Sequence, residues 1–454
     1  MNEKKHETFS SRFGYVMVAA GAAIGLGNIW RFPYMAYRDG GAIFILIYII
    51  VVALVGKAGI EMESAIGRNG RTNAVGCYAR IDKRSKIVGW IGILFTFMLD
   101  MYYVVVGGYV MKYAFDFLIG RDFGDTVDYY NRFVSNPVLP LVYTAILLAV
   151  VCYFLVSGIT KKVEKASKVI MPLLLVLLVI CGVGALVSSP SAVNGLGYYL
   201  VPDFSKLSIK TFSDVCVQVM FSIGTGWCLY VTLGANVSKE ENIRKTANYI
   251  CICDTAIAIL AGFVVIPSVV GAGSQMAGGP SLVFMAMPQI FAKLPAGRVL
   301  GFLFFATLVI AVITSMFTFI EIPAAVVRDK LKVSHGKATI ITTIAVFVCA
   351  VLCAWSQGEG ILSGIHIPWL SAQGAAYYSI IDWVDCFSSY VLMPIGNIAV
   401  AVFIAKVWGF GRYEKELTAD GRDGAISKLG KGIIVVGIPV FSIVALLNVF
   451  GVLV

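Results

Sequence analysis

Glycines and polar residues interrupt two apolar segments of this sequence. The first interruption runs from Gly21 through Gly25 and Gly27 to Asn28, and the second, about two hundred residues later, is 221–227, Phe-Ser-Ile-Gly-Thr-Gly-Trp. Glycine lowers helix stability by about 1 kcal/mol relative to alanine. At membrane depth, backbone leaves the helix only where it is buried in protein or lines a polar cavity. Matching breaks in two halves of a chain therefore indicate a transporter binding site for a small charged solute.

Composition identifies an integral membrane protein. Of 454 residues, 59% are hydrophobic and 14% charged, and the mean hydropathy is +0.85, whereas soluble domains are about one quarter charged. The net charge of +10 does not indicate nucleic-acid binding, because Lys and Arg concentrate in the segments on one side of the apolar spans. The ten cysteines lie mostly within apolar segments and lack neighbouring histidines, so we expect buried side chains and no metal site.

Segments of about 20 apolar residues predict an all-α integral membrane protein with eleven transmembrane helices, its N-terminus cytoplasmic and its C-terminus extracellular in the cell membrane. The predicted spans are 13–37, 41–67, 88–119, 137–157, 166–188, 212–236, 244–271, 296–327, 338–356, 379–408 and 432–453. Spans 1–5 and 6–10 are interpreted as a 5+5 inverted repeat with helices 1 and 6 broken. The chain divides accordingly into 1–200, 201–408 and 409–454.

Several polar side chains lie at membrane depth, where ionisable groups are functional candidates. Arg31 and Asp385 could form an outer gate or be unrelated interfacial charges. Asp254 could bind a cation or be a neutral, hydrogen-bonded acid. Lys57 and Glu61 are spaced i, i+4 and are predicted to pair with each other.

Hydroxyl groups add a second set of candidates. Thr314 and Ser315 are consecutive in span 8, where they could either bond to their own helix or complement the carbonyls freed at the first break. Tyr103 places a phenol near mid-membrane, and Asp100 lies three residues earlier, on nearly the same helix face.

These motifs together resemble the neurotransmitter:sodium symporter family over nearly the whole chain. The resemblance is carried by Gly-Ala-Ala-Ile-Gly-Leu-Gly-Asn-Ile-Trp-Arg-Phe-Pro at 21–33, Glu-x-x-x-Gly-Arg at 63–68, Tyr102-Tyr103, the stretch from Gln218 to Gly226, and Ala311-x-x-Thr-Ser315. The family implies sodium-coupled import of a small solute by alternating access.

The resemblance also implies site residues. One sodium site would use Ala23, Asn28, Ser222 and Asp254 with the carboxylate of an amino acid, and a second would use Gly21, Ile24, Ala311, Thr314 and Ser315. The amino acid would contact Ala23, Leu26, Gly27, Leu99, Asp100, Tyr103, Phe221, Gly224, Trp227, Thr318 and Phe319. Arg31 and Asp385 would close the outer side.

Two positions bear on the ions and the solute. Gly25 stands where the family's monoamine carriers have an aspartate, which implies that the substrate brings its own carboxylate. The Asp254 carboxylate implies that chloride is not required. We expect a large apolar or aromatic amino acid, the alternative being a polar or cationic side chain that contacts Asp100.

The inner gate departs from the family pattern. Asp329 matches, but His6, Phe9 and Asn236 stand where the family has arginine, tryptophan and tyrosine. A sensor that binds an amino acid without transporting it is therefore a second hypothesis. An enzyme is not expected, because no nucleophile and base are placed together, and the glycine-rich stretch follows no strand. No obligate protein partner is evident.

Overall fold

The chain folds almost entirely into helices. The computed structural model describes residues 8–188, 191–273, 276, 279–294, 296–371, 374–421 and 424–449. The elements are α1 Arg12–Ala23, α2 Gly27–Arg38, α3 Ala42–Gly70, α4 Ala74–Ile81, α5 Lys83–Ile119, α6 Thr126–Val134, α7 Leu139–Leu155, α8 Ile159–Val187, α9 Ala192–Leu200, α10 Ile209–Ile223, α11 Leu229–Gly234, α12 Ile243–Gly271, α13 279–293, α14 Gly297–Leu331, α15 His335–Trp355, β1 Ile367–Ser371, β2 Gly374–Tyr378, α16 Ile380–Trp408, α17 Phe410–Leu417 and α18 Lys428–Leu447.

Within the described ranges, eight unbroken helices are long and apolar enough to cross a membrane, and two bent pairs raise the number to ten. The unbroken spans are α3, α5, α8, α12, α14, α15, α16 and α18, and the bent pairs are α1 with α2 and α6 with α7. The membrane character predicted from composition is therefore confirmed. The count of eleven and the inverted repeat stay predictions; α10 and α11 would supply the additional span.

Both predicted breaks are present. The axis bends by 60° between α1 and α2, where residues 24–26 separate the two helices. Between α10 and α11 the backbone has positive φ at Gly224 (78°), Gly226 (90°) and Cys228 (69°). Glycine adopts this conformation freely, but a residue with a side chain does so at a cost of roughly 1–3 kcal/mol. The surrounding structure must therefore hold Cys228 in place.

The two breaks face each other in the protein interior. Gln218 of α10 donates a hydrogen bond from Nε2 to the Gly27 carbonyl at 3.3 Å. A side chain at Gly27 would meet the Phe221 ring at 2.8 Å, so glycine is needed there for the close approach. Helices α12 and α14 both pack against α1. The fold thus brings unwound backbone from two distant segments to one place.

One feature departs from the predicted all-α class. Strands β1 and β2 form an antiparallel hairpin in which Ile367 pairs with Tyr378 and Trp369 with Ala376. Aromatic and β-branched residues favour strands. The stretch between α15 and α16 is too short for another membrane span. The expectation of helix alone was wrong for this hairpin.

Candidate functional site

A buried carboxylate lies between the two breaks. Asp254 of α12 is fully buried and accepts hydrogen bonds from Asn28 Nδ2 at 2.7 Å and from the Ser222 hydroxyl at 2.9 Å. Asn28 Nδ2 also lies 2.9 Å from Ser222 Oγ. Three of the four residues predicted for the first cation site therefore meet here, and Ala23 lines the adjoining cavity.

A fourth polar residue in this cluster, Tyr48 of α3, was not predicted from the sequence. Its hydroxyl donates to Asp254 Oδ2 at 3.0 Å and lies 3.0 Å from Ser222 Oγ. The ring is fully buried against Phe32 and Phe44. In sequence, Tyr48 stands in an apolar run and resembles an ordinary core residue, so the one available signal was a single hydroxyl among aliphatic neighbours.

Carbonyl oxygens converge on Ser315 at the second predicted cation site. Its hydroxyl lies 3.2 Å from the Gly21 carbonyl, 3.2 Å from the Ile24 carbonyl and 3.0 Å from the Ala311 carbonyl. The Thr314 hydroxyl donates to the Ala311 carbonyl at 3.0 Å. Two hydroxyl protons cannot satisfy all of these oxygens, and an excess of hard oxygen donors suits a small cation. All five predicted residues are thus in one place.

A small cavity adjoins the two clusters. Of the residues predicted to contact the amino acid, those on its wall are Ala23, Leu26, Gly27, Leu99, Tyr103, Phe221, Trp227 and Phe319. Asp100, Gly224 and Thr318 are not among its lining residues. The cavity volume is about 20 Å³, which is no more than a water molecule occupies. Binding of any amino acid therefore requires side chains to move.

The polar end of this cavity carries backbone donors. The Leu26 N–H donates to the Tyr103 hydroxyl at 3.2 Å, and Leu26 and Gly27 lie at the N-terminal end of α2. Helix N-termini favour anions because their N–H groups have no partner within the helix. A carboxylate would find donors here.

Arg31 and Asp385 line the same cavity, whose volume is about 520 Å³. Arg31 donates to the Tyr390 hydroxyl at 3.1 Å and lies over the Phe221 ring at 5.4 Å. Among the described contacts, Arg31 and Asp385 do not form an ion pair. The predicted outer gate therefore has its two residues in one cavity but not joined.

At the inner side, Phe9 N–H donates to the Asn236 carbonyl at 3.1 Å. Asp329 accepts from Asn73 Nδ2 at 2.6 Å and from Arg328 Nε at 2.9 Å. His6 lies outside the described residues. The inner-gate role of these four residues stays a prediction.

Two further contacts lie near the predicted inner gate, and neither was predicted from the sequence. Arg12 forms an ion pair with Glu241, and Ser10 hydrogen bonds to Glu164 through both its N–H and its hydroxyl. These contacts tie the start of α1 to α8 and to the segment before α12. They lie beside the Phe9–Asn236 contact and would add to the predicted inner gate.

The second break is held by side chains from two other helices. Glu63 of α3, buried, accepts from the Gly226 N–H at 2.7 Å and the Tyr230 N–H at 3.0 Å. Asn397 of α16 donates to the Thr225 carbonyl at 2.9 Å. Both were missed as site residues. The available signal for Glu63 was its acidic side chain within a membrane helix. The nearby Lys57 and Glu61 pair with each other, so Glu63 was left without a predicted partner.

We expect Glu63→Gln to reduce transport by roughly tenfold, because one backbone N–H of the break would face an amide donor, and hydrogen bonds to charged groups contribute about 1.5–3 kcal/mol. The measurement is initial uptake per molecule of reconstituted protein. Glu61→Gln is the matched control. Its partner Lys57 lies at 3.7 Å and is partly exposed, and this variant removes a carboxylate charge from the same helix as Glu63. Equal losses in both variants would contradict a specific role for Glu63.

Comparisons with known proteins identify a family and several similar chains. The sodium:neurotransmitter symporter family matches residues 6–121 and 132–421. A sodium-dependent transporter of Haemophilus influenzae is 32% identical over 89% of this chain and 90% of its own length. The sodium-dependent transporter YhdH of Bacillus subtilis is 30% identical over 100% of both chains. The crystal structure of MhsT in complex with L-phenylalanine is similar with a TM-score of 0.86 and 30% identity, covering 98% of this chain and 100% of that chain.

Proposed function

We propose, from the premise that the chain belongs to the sodium:neurotransmitter symporter family, that it imports an amino acid together with sodium ions by alternating access. Members of this family are transporters and not enzymes, and similar bacterial proteins are sodium-dependent. The observation that carries the proposal is the meeting of Asp254, Asn28 and Ser222 beside unwound backbone from both breaks.

Coupling follows from the adjacency of the cation clusters and the cavity. Asn28 belongs to the first cluster and also lines the cavity. Ala23 lines the cavity as well. A substrate carboxylate placed at this wall would complete the ligand shell of a cation. Each ligand then raises the affinity for the other by the same factor. Closing the outer side and opening the inner side would carry both inward.

Two sodium sites are proposed. The first uses the Asp254 cluster with the substrate carboxylate, and the second uses the oxygens around Ser315. A carboxylate with hydroxyl and carbonyl oxygens can replace the hydration shell of a hard cation. The second site contains no charged side chain, so its cation depends on carbonyl dipoles freed by the first break.

Chloride is not required in this proposal. The Tyr48 and Ser222 hydroxyls are donors that could hold an anion, but the Asp254 carboxylate already accepts from both. We therefore expect replacement of chloride by gluconate to leave sodium-driven uptake unchanged within about twofold, since the fixed carboxylate already supplies the negative charge that offsets the cation's charge. Uptake that stops in gluconate would contradict this assignment.

The proposed substrate is a large apolar or aromatic amino acid. The cavity wall carries Phe95, Tyr103, Phe221, Trp227 and Phe319, and aromatic rings pack well against one another. The solved MhsT structure holds L-phenylalanine. A polar or cationic side chain that contacts Asp100 is the alternative.

The experiment that tests the proposal is uptake by purified protein in vesicles, with an inward sodium gradient and a panel of the common amino acids. Accumulation of one or more amino acids that stops when potassium replaces sodium is the expected result. A protein that binds an amino acid but accumulates none would instead be a sensor. The altered inner gate at His6, Phe9 and Asn236 is the feature that favours that second candidate.

The proposed orientation places the N-terminus in the cytoplasm and the C-terminus outside the cell membrane. The two proposed repeats occupy 1–200 and 201–408, followed by a cytoplasmic loop and a last span in 409–454. The concentration of Lys and Arg on one side supports this orientation. No protein partner is part of the proposal.

A further inference from the structure

Asp100 of α5 is a buried carboxyl group without a described partner. The residue is 0% exposed. Among the residues that the structure describes, neither of its side-chain oxygens has a hydrogen-bond partner. Burying a polar group without such a bond is costly, and native proteins rarely do so. An unpartnered carboxyl group next to a solute cavity therefore needs a functional explanation.

Contacts along α5 locate Asp100 relative to the cavity. Phe95, Leu99 and Tyr103 recur at intervals of four residues and line the cavity wall, so they form one stripe of the helix. Asp100 is at the edge of this stripe. One turn earlier, the Thr96 hydroxyl donates to the Trp227 carbonyl at 3.2 Å.

Two turns after Asp100, the same edge of α5 reaches α14. A side chain at Gly107 would lie 2.6 Å from both the Val312 side chain of α14 and the Leu147 side chain of α7. Asp100 therefore lies on a helix edge that contacts the second break at one end and α7 and α14 at the other.

Two further polar atoms on the neighbouring elements lack partners within the described part of the chain. They are the indole nitrogen of Trp227 and the hydroxyl of Thr318, and both residues are buried. Trp227 packs edge to face on Phe319, with ring centroids 5.1 Å apart. The second break and α14 thus carry aromatic surface together with hydrogen-bonding groups that have no partner among the described residues.

We propose that Asp100 determines substrate specificity by accepting a hydrogen bond from the ring N–H or O–H of an aromatic amino acid. This inference rests on the proposed function and narrows its substrate class to rings that carry a donor, such as indole and phenol. A carboxyl group can accept a hydrogen bond in either protonation state. Aromatic neighbours suit the ring, and the unpartnered oxygens suit its donor.

The small volume of the cavity is consistent with this arrangement. A substrate ring must displace part of the wall, because about 20 Å³ does not hold a side chain. Rotation of the Trp227 indole breaks no hydrogen bond at its nitrogen, which has none among the described residues. Substrate contact with Asp100 requires that this ring move and that the cavity extend along α5.

The experiment compares two nearly isosteric substrates, tryptophan and β-(3-benzothienyl)alanine, in which sulfur replaces the indole N–H. Both compete for sodium-driven uptake by the purified protein in vesicles. We expect the native protein to prefer tryptophan by about tenfold or more, because a site built to bond a donor rejects an analogue that lacks it. In Asp100→Leu the preference should fall below about threefold.

Asp100→Asn is the conservative variant, since its amide oxygen still accepts a hydrogen bond, and it should restore most of the preference. If Asp100→Leu does not fold, the native comparison and Asp100→Asn still decide. Equal competition by the two substrates in the native protein would overturn the inference, as would an unchanged preference in Asp100→Leu. Sodium-driven uptake confined to aliphatic or cationic amino acids would overturn it while leaving the proposed function intact. Absence of any sodium-driven amino acid uptake would overturn both.

Discussion

Asp254→Ala is expected to abolish sodium-driven accumulation or to raise the sodium concentration for half-maximal uptake by roughly 100-fold. The reason is that breaking a buried charge pair by removing one partner costs about 3–5 kcal/mol, and about 1.4 kcal/mol corresponds to a tenfold change in affinity. Substrate choice should change less than sodium dependence, because Asp254 does not line the cavity. The measurement is initial uptake as a function of sodium concentration.

Asp254→Asn and Asn28→Ala serve as the comparisons. The first keeps the side-chain shape and removes the charge, so we expect a smaller but clear loss of sodium affinity. The second removes an amide that donates to Asp254 at 2.7 Å and should also weaken sodium dependence. If sodium dependence is unchanged in all three variants, the first cation site is misplaced.

Gly25→Asp is expected to lower amino acid uptake by about 100-fold or more, because two like charges in a water-poor site repel strongly. The structure supplies the geometry. A Cβ atom at residue 25 would lie 2.7 Å from the Tyr103 hydroxyl and 3.4 Å from Ser315 Oγ. An aspartate would therefore place its negative charge beside the groups that we propose bind the substrate carboxylate.

Gly25→Asn is the matched control for this prediction. Its side chain has the same size and no charge, so it reports the steric cost alone. The measurement is uptake of a fixed amount of labelled amino acid by each variant, in competition with the best substrate. Uptake by Gly25→Asp that equals uptake by Gly25→Asn would show that no substrate carboxylate binds at this position.

The two breaks could be predicted from sequence because glycines in apolar segments conflict with a straight helix. Gly25 and Gly224 are the glycines that show this conflict, whereas Thr314 and Ser315 were candidates only because their hydroxyls lie in an apolar segment. The family resemblance, and not the composition, predicted that these residues form common clusters. In the structure the clusters are held by hydrogen bonds. Composition and periodicity alone would not have joined segments two hundred residues apart.

Tyr48 and Glu63 show what the sequence could not reveal. Tyr48 stands in an aliphatic run where an aromatic residue is normally core, and its role depends on the distance to Asp254 in the folded chain. Glu63 has no sequence signature for contact with the Gly226 backbone, because the contact exists only once α3 packs against α11. Long-range packing determines both roles.

Neither the cavity volume nor the β1–β2 hairpin could be predicted from the sequence. The cavity volume depends on the rotamers of Trp227 and Phe319, which pack edge to face, and composition does not specify rotamers. The hairpin forms in a stretch with a proline and several aromatic residues, where neither helical nor strand periodicity is clear.

The central claim is that sodium and the carboxylate of an amino acid complete each other's binding site. Its most direct test is equilibrium binding of the best substrate to the purified protein at several sodium concentrations, and of sodium at several substrate concentrations. The account predicts that each ligand raises the affinity for the other by one common factor of about tenfold or more, and that an amine analogue lacking the carboxylate has no such effect. Substrate affinity that is the same in sodium and in potassium would contradict it.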